Sequence, residues 1–365
     1  HGPAAVQKSA LFVRINAAVG AAAEAAVRAQ PKEATRLEEL RTLLLESIVK
    51  ELGESCQFLG SYTERISMLQ RSNLNTRAMR LLNLLQLEQV DDNLFRAENE
   101  PENGQRIFGG QVIAQALIAS SRTLDGYKMH SCHAYFLRPG DNNKPVLLDV
   151  ERVRDGRSFA MRRVVAIQNG QAIFNMDISF HIDEPGFQHS EPMPNVPTPQ
   201  ELRPDDEVAK ALDGSDADPR LSPMAKLERP FEMRSVFQIG SVEWAENRSW
   251  SPVWIRYRGE LDLSSDETPN LNAALLAYAS DMGLVSTGFL PHQSITNRSK
   301  LQMASLDHSL WIYRDIPITK WLLFHKRTTT AANSRALVHA DFFSEEGVLI
   351  ATTTQEGLLR AGEAS

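Results

Sequence analysis

Cysteine is scarce in this chain, with Cys56 and Cys132 the only two in 365 residues. No CxxC pair and no His/Cys cluster occurs, so a disulfide framework and a structural zinc site are not expected, and the chain reads as the product of a reducing, intracellular compartment. Basic residues are outnumbered as well. The 39 Lys and Arg against 46 Asp and Glu leave a net charge of −7, which argues against a nucleic-acid partner, since phosphate is normally met by a basic face. An unbroken apolar run of about 18 residues is also missing, and no membrane span is expected. Three motifs are absent: a GxGxxG turn after a strand, an HExxH pair and a GxSxG elbow. Their absence argues against dinucleotide binding, a zincin metal site and an α/β-hydrolase serine. Neither a metal nor a cofactor is called for.

What is present suits compact folding. Hydrophobic residues make up 42% and charged residues 23%, enough for two or three domains with real cores. His1-Gly2-Pro3 reads as the remnant of a cleaved tag and is set aside. Residues 1–83 read as a helical extension. An Ala-rich stretch over 17–29 precedes Pro31, which suits a helix start with Glu33 in the first turn. Leu37, Leu40, Leu44, Ile48 and Leu52 recur at helical spacing up to Gly53, and a further helical stretch runs from about Thr63 to Leu85. These apolar stripes need a partner, either the body of the protein or another subunit of a homo-oligomer.

From residue 84 the pattern changes. Asp91–Arg96 reads as a short strand, and Phe108-Gly109-Gly110-Gln111 leads into an amphipathic helix carrying Val112, Ala116 and Leu117. Four strands follow, near 129–137, 146–153, 158–168 and 171–181, with hairpins at Arg154–Arg157 and Gln168–Gln171. One helix followed by an antiparallel meander is an α+β layout. Residues 185–229 are a Pro-rich linker with one short helix near Asp206–Leu212. The remainder, 230–365, repeats the order: a helix over about 270–281, then strands near 307–313, 321–328, 334–343 and 348–355. His133 and the segment to Arg138 resemble His308 and the segment to Arg314, and Gly170 matches Gly347 at a hairpin, which supports a duplicated module.

Phe108–Leu117, His130–Asp141 and Asp155–Arg163 in the first half are similar to the type II acyl-CoA thioesterases, meaning bacterial thioesterase II and the peroxisomal acyl-CoA thioesterases. So are Tyr278–Asp281, Ser305–Trp311 and Gln355–Gly357 in the second. The resemblance covers about 84–362 and leaves the first eighty residues unexplained. It implies a double hot-dog, two modules in which an antiparallel sheet wraps a long helix, joined into one sheet. It implies hydrolysis of fatty acyl-CoA to free acid and CoA, in a cytoplasmic, peroxisomal or mitochondrial-matrix setting, by a protein that assembles into oligomers. The family's catalytic aspartate falls on Asp281, its hydroxyl residue on Ser305 and its glutamine on Gln355. Bacterial members carry Thr where Ser305 stands, and peroxisomal members carry Ser.

These residue types suit the chemistry. A thioester needs a placed water and donors for the oxyanion. Asp281 is the one member of the trio that can act as a base at neutral pH, while Ser305 and the Gln355 amide, which has both donor and acceptor, can orient the water. The Gly109-Gly110 backbone N–H groups at a helix start are oxyanion candidates, with His130 a further one. By residue type alone the plainer readings come first, Asp281 as a solvent-facing helix end, Ser305 as a cap or turn hydroxyl and Gln355 as an exposed strand residue; their joint match to the family's motifs reverses that order. His133 and His308 read as structural hydrogen-bonding histidines. Arg162 and Arg163 alternate on a strand, so at most one faces a CoA phosphate, and the plainer reading is a solvated face. A hot-dog hydratase, using an Asp/His pair, and a non-catalytic acyl-CoA-binding scaffold are the rival functions.

Overall fold

The computed structural model describes residues 76–100, 106–212, 229–246, 248–261, 268–295, 301–315 and 317–361. The expected helices before residue 76, Cys56 and the middle of the linker lie outside the described residues. Helix α1 covers Thr76–Leu84, and its Ala78 carbonyl accepts a hydrogen bond from the buried Tyr257 hydroxyl at 2.6 Å.

Two central helices organise the rest. Helix α2, Gly109–Ser121, is apolar or small almost all round and is buried from Gly110 to Ser120, the pattern of a helix enclosed on every side. Helix α5, Thr268–Ser280, presents Ala273–Ala277 to the same core and packs directly on α2. A continuous antiparallel sheet covers the pair, in the order β1-β2-β4-β5-β6-β3-β10-β13-β12-β11-β8-β7, with β9 also pairing β13. Its first half comprises β1 (Glu88–Asp91), β2 (Leu94–Ala97), β3 (Lys128–Phe136), β4 (Val146–Asp155), β5 (Phe159–Gln168) and β6 (Gln171–His181). Its second half comprises β7 (Phe231–Ser235), β8 (Trp250–Tyr257), β9 (Leu301–Ser305), β10 (Asp307–Ile312), β11 (Leu322–Ala332), β12 (Arg335–Ser344) and β13 (Leu349–Ala361). The halves join where β3 meets β10, with Ser309 opposite His133 and Trp311 opposite Ser131.

Alternation along the strands aims one face at the helices. Ala160, Arg162, Val164 and Ala166 of β5 point inward, as do Ala336, Val338, Ala340 and Phe342 of β12. The short helices α3 (Asp205–Ala211), α4 (Val242–Ala245) and α6 (Leu284–Phe289) lie between these elements. The linker is more than a tether. Met193, Val196 and Leu202 pack on a second apolar cluster of Trp254, Trp321, Leu323 and Phe343, and the Trp254 indole donates to Pro197 O at 2.8 Å.

Several sequence expectations need correction. Asp91–Arg96 is not one strand but a hairpin, because Asp92-Asn93 form the turn between β1 and β2. The second half has β7, β8 and β9 in addition to the four strands expected. β8 was hidden by Pro252, which is tolerated because the registered pairing with β7 ends at Val253. The stretch Pro269–His292, with Asp281 its one charge among Asp, Glu, Lys and Arg, does match a membrane span in length and composition. It is mostly buried as α5, the following turn and α6, so it is core.

Candidate active site

Four elements converge at the C-terminal end of α5. Asp281 follows directly after Ser280, in a turn that Gly283 closes with a φ of +78°, a conformation glycine adopts without steric penalty. The start of α2 lies alongside. A Cβ on Gly110 would sit 2.4 Å from the Tyr278 carbonyl, and one on Gly109 would sit 2.6 Å from Asp281 Oδ2 and 2.9 Å from the Phe136 ring. The two helices therefore touch through backbone that only glycine leaves bare.

Ser305 ends β9, where the chain kinks into β10. At the kink the Leu306 N–H donates to Glu356 O, and the Asp307 carboxylate accepts the Glu356 N–H at 2.7 Å in place of a ladder carbonyl. Gln355 lies on the inner face of β13 and is 1% exposed. The exposed-strand reading of Gln355 and the solvent-facing reading of Asp281 are therefore both excluded.

The carboxylate of Asp281 accepts three hydrogen bonds. Gly110 N–H donates to Oδ2 at 2.9 Å, and Gln355 Nε2 and the Ser305 hydroxyl donate to Oδ1 at 3.0 and 3.3 Å. Burial disfavours the charge and pushes the Asp281 carboxyl up to about 6, with the donors from Gln355, Gly110 and Ser305 opposing that rise. The positive end of α2 points the same way as the donors. A carboxylate has about four acceptor positions, so one on Oδ2, the oxygen beside Gly109, remains after these three.

Two expectations change in detail. Gly110 N–H is held by Asp281, and so is not available to an oxyanion in this arrangement; the Gly109 N–H is the remaining candidate in that turn. The Gln355 carbonyl oxygen faces His308 Nδ1 at 3.1 Å and one amide N–H is taken by Asp281, so the amide turns its oxygen toward His308 and keeps one further N–H for a reacting group. Asp281, Ser305, Gln355, Gly109 and Gly110 are brought together.

His130 is not. It lies six residues along β3 from Phe136, roughly 20 Å at about 3.3 Å per residue. Its neighbours are Ser179 Oγ at 2.8 Å and the rings of Phe159 and His181. Burial and the nearby His181 lower its pKa.

The histidine that does reach the site is His308. It is fully buried, and burial lowers its imidazole to about 4. The repeat reading aligned it with His133, but the two face opposite ways. His133 is exposed on the outer face beside Ser309 and Trp311. The signal that could have found His308 is positional: Ser309 opposes Thr354, so one step along the same register brings His308 opposite Gln355.

The arginine pair also resolves. Arg163 is solvated and paired with Asp177. Arg162 is fully buried, contrary to the solvated-face reading. Its Nε donates to Thr123 Oγ1, and its terminal nitrogens donate to the carbonyls of Arg154, Met161 and Thr123 and to Asp155.

Residues 98–181 match the family model of the acyl-CoA thioesterase N-terminal domain, and residues 199–359 match that of the C-terminal domain. The chain is 36% identical over 284 residues to acyl-CoA thioesterase 2 of Haemophilus influenzae, covering 78% of this chain and 98% of that protein. Its fold is similar to the crystal structure of acyl-CoA thioesterase II TesB2 from Mycobacterium marinum, with a TM-score of 0.63, 34% identity, and 78% and 99% of the two chains covered. A hot-dog protein from Alicyclobacillus acidocaldarius, 20% identical, superposes with a TM-score of 0.62 over 77% and 98% of the chains, a likeness of fold. With both halves matched and nearly the full length of a relative spanned, the chain is a hot-dog protein and belongs to the type II acyl-CoA thioesterase family.

Proposed function

We propose that the chain hydrolyses fatty acyl-CoA to free acid and CoA with Asp281 as general base, Ser305 and Gln355 as water-orienting groups, and no covalent acyl-enzyme. Family membership supports the overall reaction. The observation that carries the residue assignment is the buried Asp281 carboxylate, held by three donors with its pKa raised to about 6 and one Oδ2 position left over.

A water at that position gives its proton to Oδ2 as its oxygen attacks the thioester carbonyl carbon. The second N–H of Gln355 and the Ser305 hydroxyl hold the water in line, and the Gly109 N–H faces the carbonyl oxygen as it becomes an oxyanion. Collapse of the tetrahedral intermediate breaks the C–S bond. The proton held by Asp281 then passes to the departing thiolate, restoring the base. A pKa near 6 suits both halves of this exchange at neutral pH.

The partners of Asp281 are an amide, a hydroxyl and a backbone N–H, with no histidine in contact among the described residues. That favours hydrolysis over the Asp/His hydration chemistry. The expected division into 84–184, a linker over 185–229, and 230–365 frames the proposal. The first module brings the α2 N-terminus and the second brings the trio, while assembly into a homo-oligomer is testable by sedimentation.

The deciding experiment is thiol release from a panel of acyl-CoAs by the wild type, Asp281→Ala and Gln355→Ala. Full hydrolysis by both variants would overturn the site. A single turnover in 18O-water should place the label in the fatty acid and none in the Asp281 peptide; label in that peptide would mean a covalent anhydride.

A further inference from the structure

We infer that His308 is a positioning residue that sets the orientation of the Gln355 amide, and through it the geometry of the attacking water. This deepens the proposal above and rests on its assignment of Gln355.

A glutamine amide can occupy a site in two orientations that differ by a half-turn, exchanging C=O for NH2 at almost no change of shape. Beside Asp281 the two are far from equivalent. With Nε2 toward the carboxylate, the contact at 3.0 Å is a charge-assisted hydrogen bond. With the oxygen there, two acceptors would face one another in a buried site. Asp281 alone therefore biases the amide, but a protonated Asp281 can donate, and at that stage of the reaction the bias disappears. His308 supplies a second one that does not depend on the state of Asp281. Its Nδ1 lies 3.1 Å from Gln355 Oε1, an oxygen that can only accept, so Nδ1 must carry the proton.

The other side of the ring accommodates that tautomer. Nε2 must then be the acceptor, and the hydroxyls of Ser280 and Thr353 lie 2.8 and 3.2 Å from it. Both hydroxyls also lie within reach of backbone carbonyls, Ala277 O and Ser309 O, each at 2.8 Å, so in this tautomer one of them turns its single proton from its carbonyl to Nε2. Full burial keeps the ring neutral, so it presents one donor, facing the Gln355 oxygen, and one acceptor, facing hydroxyls that can supply a proton. The assembly links Ser280, the residue directly before the base, to the amide that contacts the base, while the Asp281 carboxylate takes its own hydrogen bonds from Gly110, Ser305 and Gln355 and not from His308.

Asparagine and glutamine distinguish the two ring nitrogens. In His308→Asn the side-chain NH2 falls near the place of Nδ1 and can still donate to Gln355. In His308→Gln the amide falls nearer the place of Nε2. The experiment measures kcat, KM and melting temperature for both variants, alone and in a Gln355→Ala background. The expected result is that H308Q loses roughly 100-fold in kcat, the scale of one misplaced polar group in a site, with little change in KM. H308N should stay within roughly tenfold of wild type, and both substitutions should be nearly silent in Gln355→Ala. Equal losses in the two backgrounds, or losses that follow melting temperature and not the identity of the amide, would overturn the assignment. Full activity of Gln355→Ala by itself would instead overturn the reading of the trio, so the two failures are distinguishable. Should a variant fold poorly, His308→Asn/Gln355→Ala compared with Gln355→Ala at matched stability gives the same contrast.

Discussion

Two places in the sheet occupy corresponding positions and hold opposite chemistry. Gln355 stands eight residues after the hairpin Gly347, and Ile178 stands eight residues after the hairpin Gly170. Both side chains are buried against the central helices. Across the sheet Gln355 pairs with Val338, and Ile178 pairs with Arg162. The residue just past α5 is Asp281, while the residue just past α2 is Arg122, whose guanidinium caps Leu87 O. In the second half, then, an amide and a carboxylate meet beside a glycine helix start, with acceptor capacity left over. In the first half a guanidinium spends its N–H groups on Thr123, Arg154, Met161 and Asp155. The same scaffold gives one place that can exchange a proton with a substrate and one that is closed to it. What separates the two places is unfilled hydrogen-bonding capacity, on which the proposed reaction depends.

The largest test of this contrast is Asp281→Ala. It should reduce kcat by roughly 10³- to 10⁴-fold, the upper range for a general base, with the fold retained by circular dichroism. Gly110→Ala comes next. Its Cβ would press on the Tyr278 carbonyl at 2.4 Å, so α2 must move away from Asp281. A loss of roughly 100-fold in kcat and a stability loss of about 1–3 kcal/mol are expected, measured by thiol release and by urea titration.

Arg162→Met should show the reverse pattern. The carbonyls it served lose their donors, for about 3 kcal/mol of stability, while kcat stays near wild type. A large kcat loss without a stability loss would show that the first-half site takes part in the reaction.

The pH profile sharpens the same point. As the proposed base Asp281 must be ionised to act, and its pKa is raised to about 6. Below that value kcat/KM should therefore fall tenfold per pH unit, and above it the profile should be flat until another group intervenes. A limb placed near pH 4 would mean that burial does not set this pKa. The smallest effect is expected from Ser305→Thr, which keeps the hydroxyl donor to Asp281 and should leave kcat within roughly threefold.

Much of this was legible from residues alone, for identifiable reasons. The alternation of β5, β6, β12 and the start of β13 and the turn chemistry at Gly170 and Gly347 mark the meanders. The Gly-Gly pair before an apolar helix marks the place where something approaches closely. The trio came from motif resemblance, because three polar residues spread over about 75 positions carry no local signal. What stayed hidden depended on partners distant in sequence. The role of His308 depends on the β10–β13 register, and the burial of Arg162 on Thr123. β9 is short, and its strand character shows only in its pairing with the far end of β13. His130 sits in a motif shared with the family, yet only the contact of Phe136 with the start of α2 shows which end of β3 lies at the site.

The contact between the two central helices has a use as a gauge. The Gly110 amide proton belongs to the central helix of the first half and binds a carboxylate that follows the central helix of the second. Its hydrogen exchange rate therefore reports a single event, the parting of the two halves, separately from the fraying of either one. Its chemical shift should also follow the ionisation of Asp281. One nucleus thus carries both the mechanical state of the duplicated fold and the charge state of its proposed base.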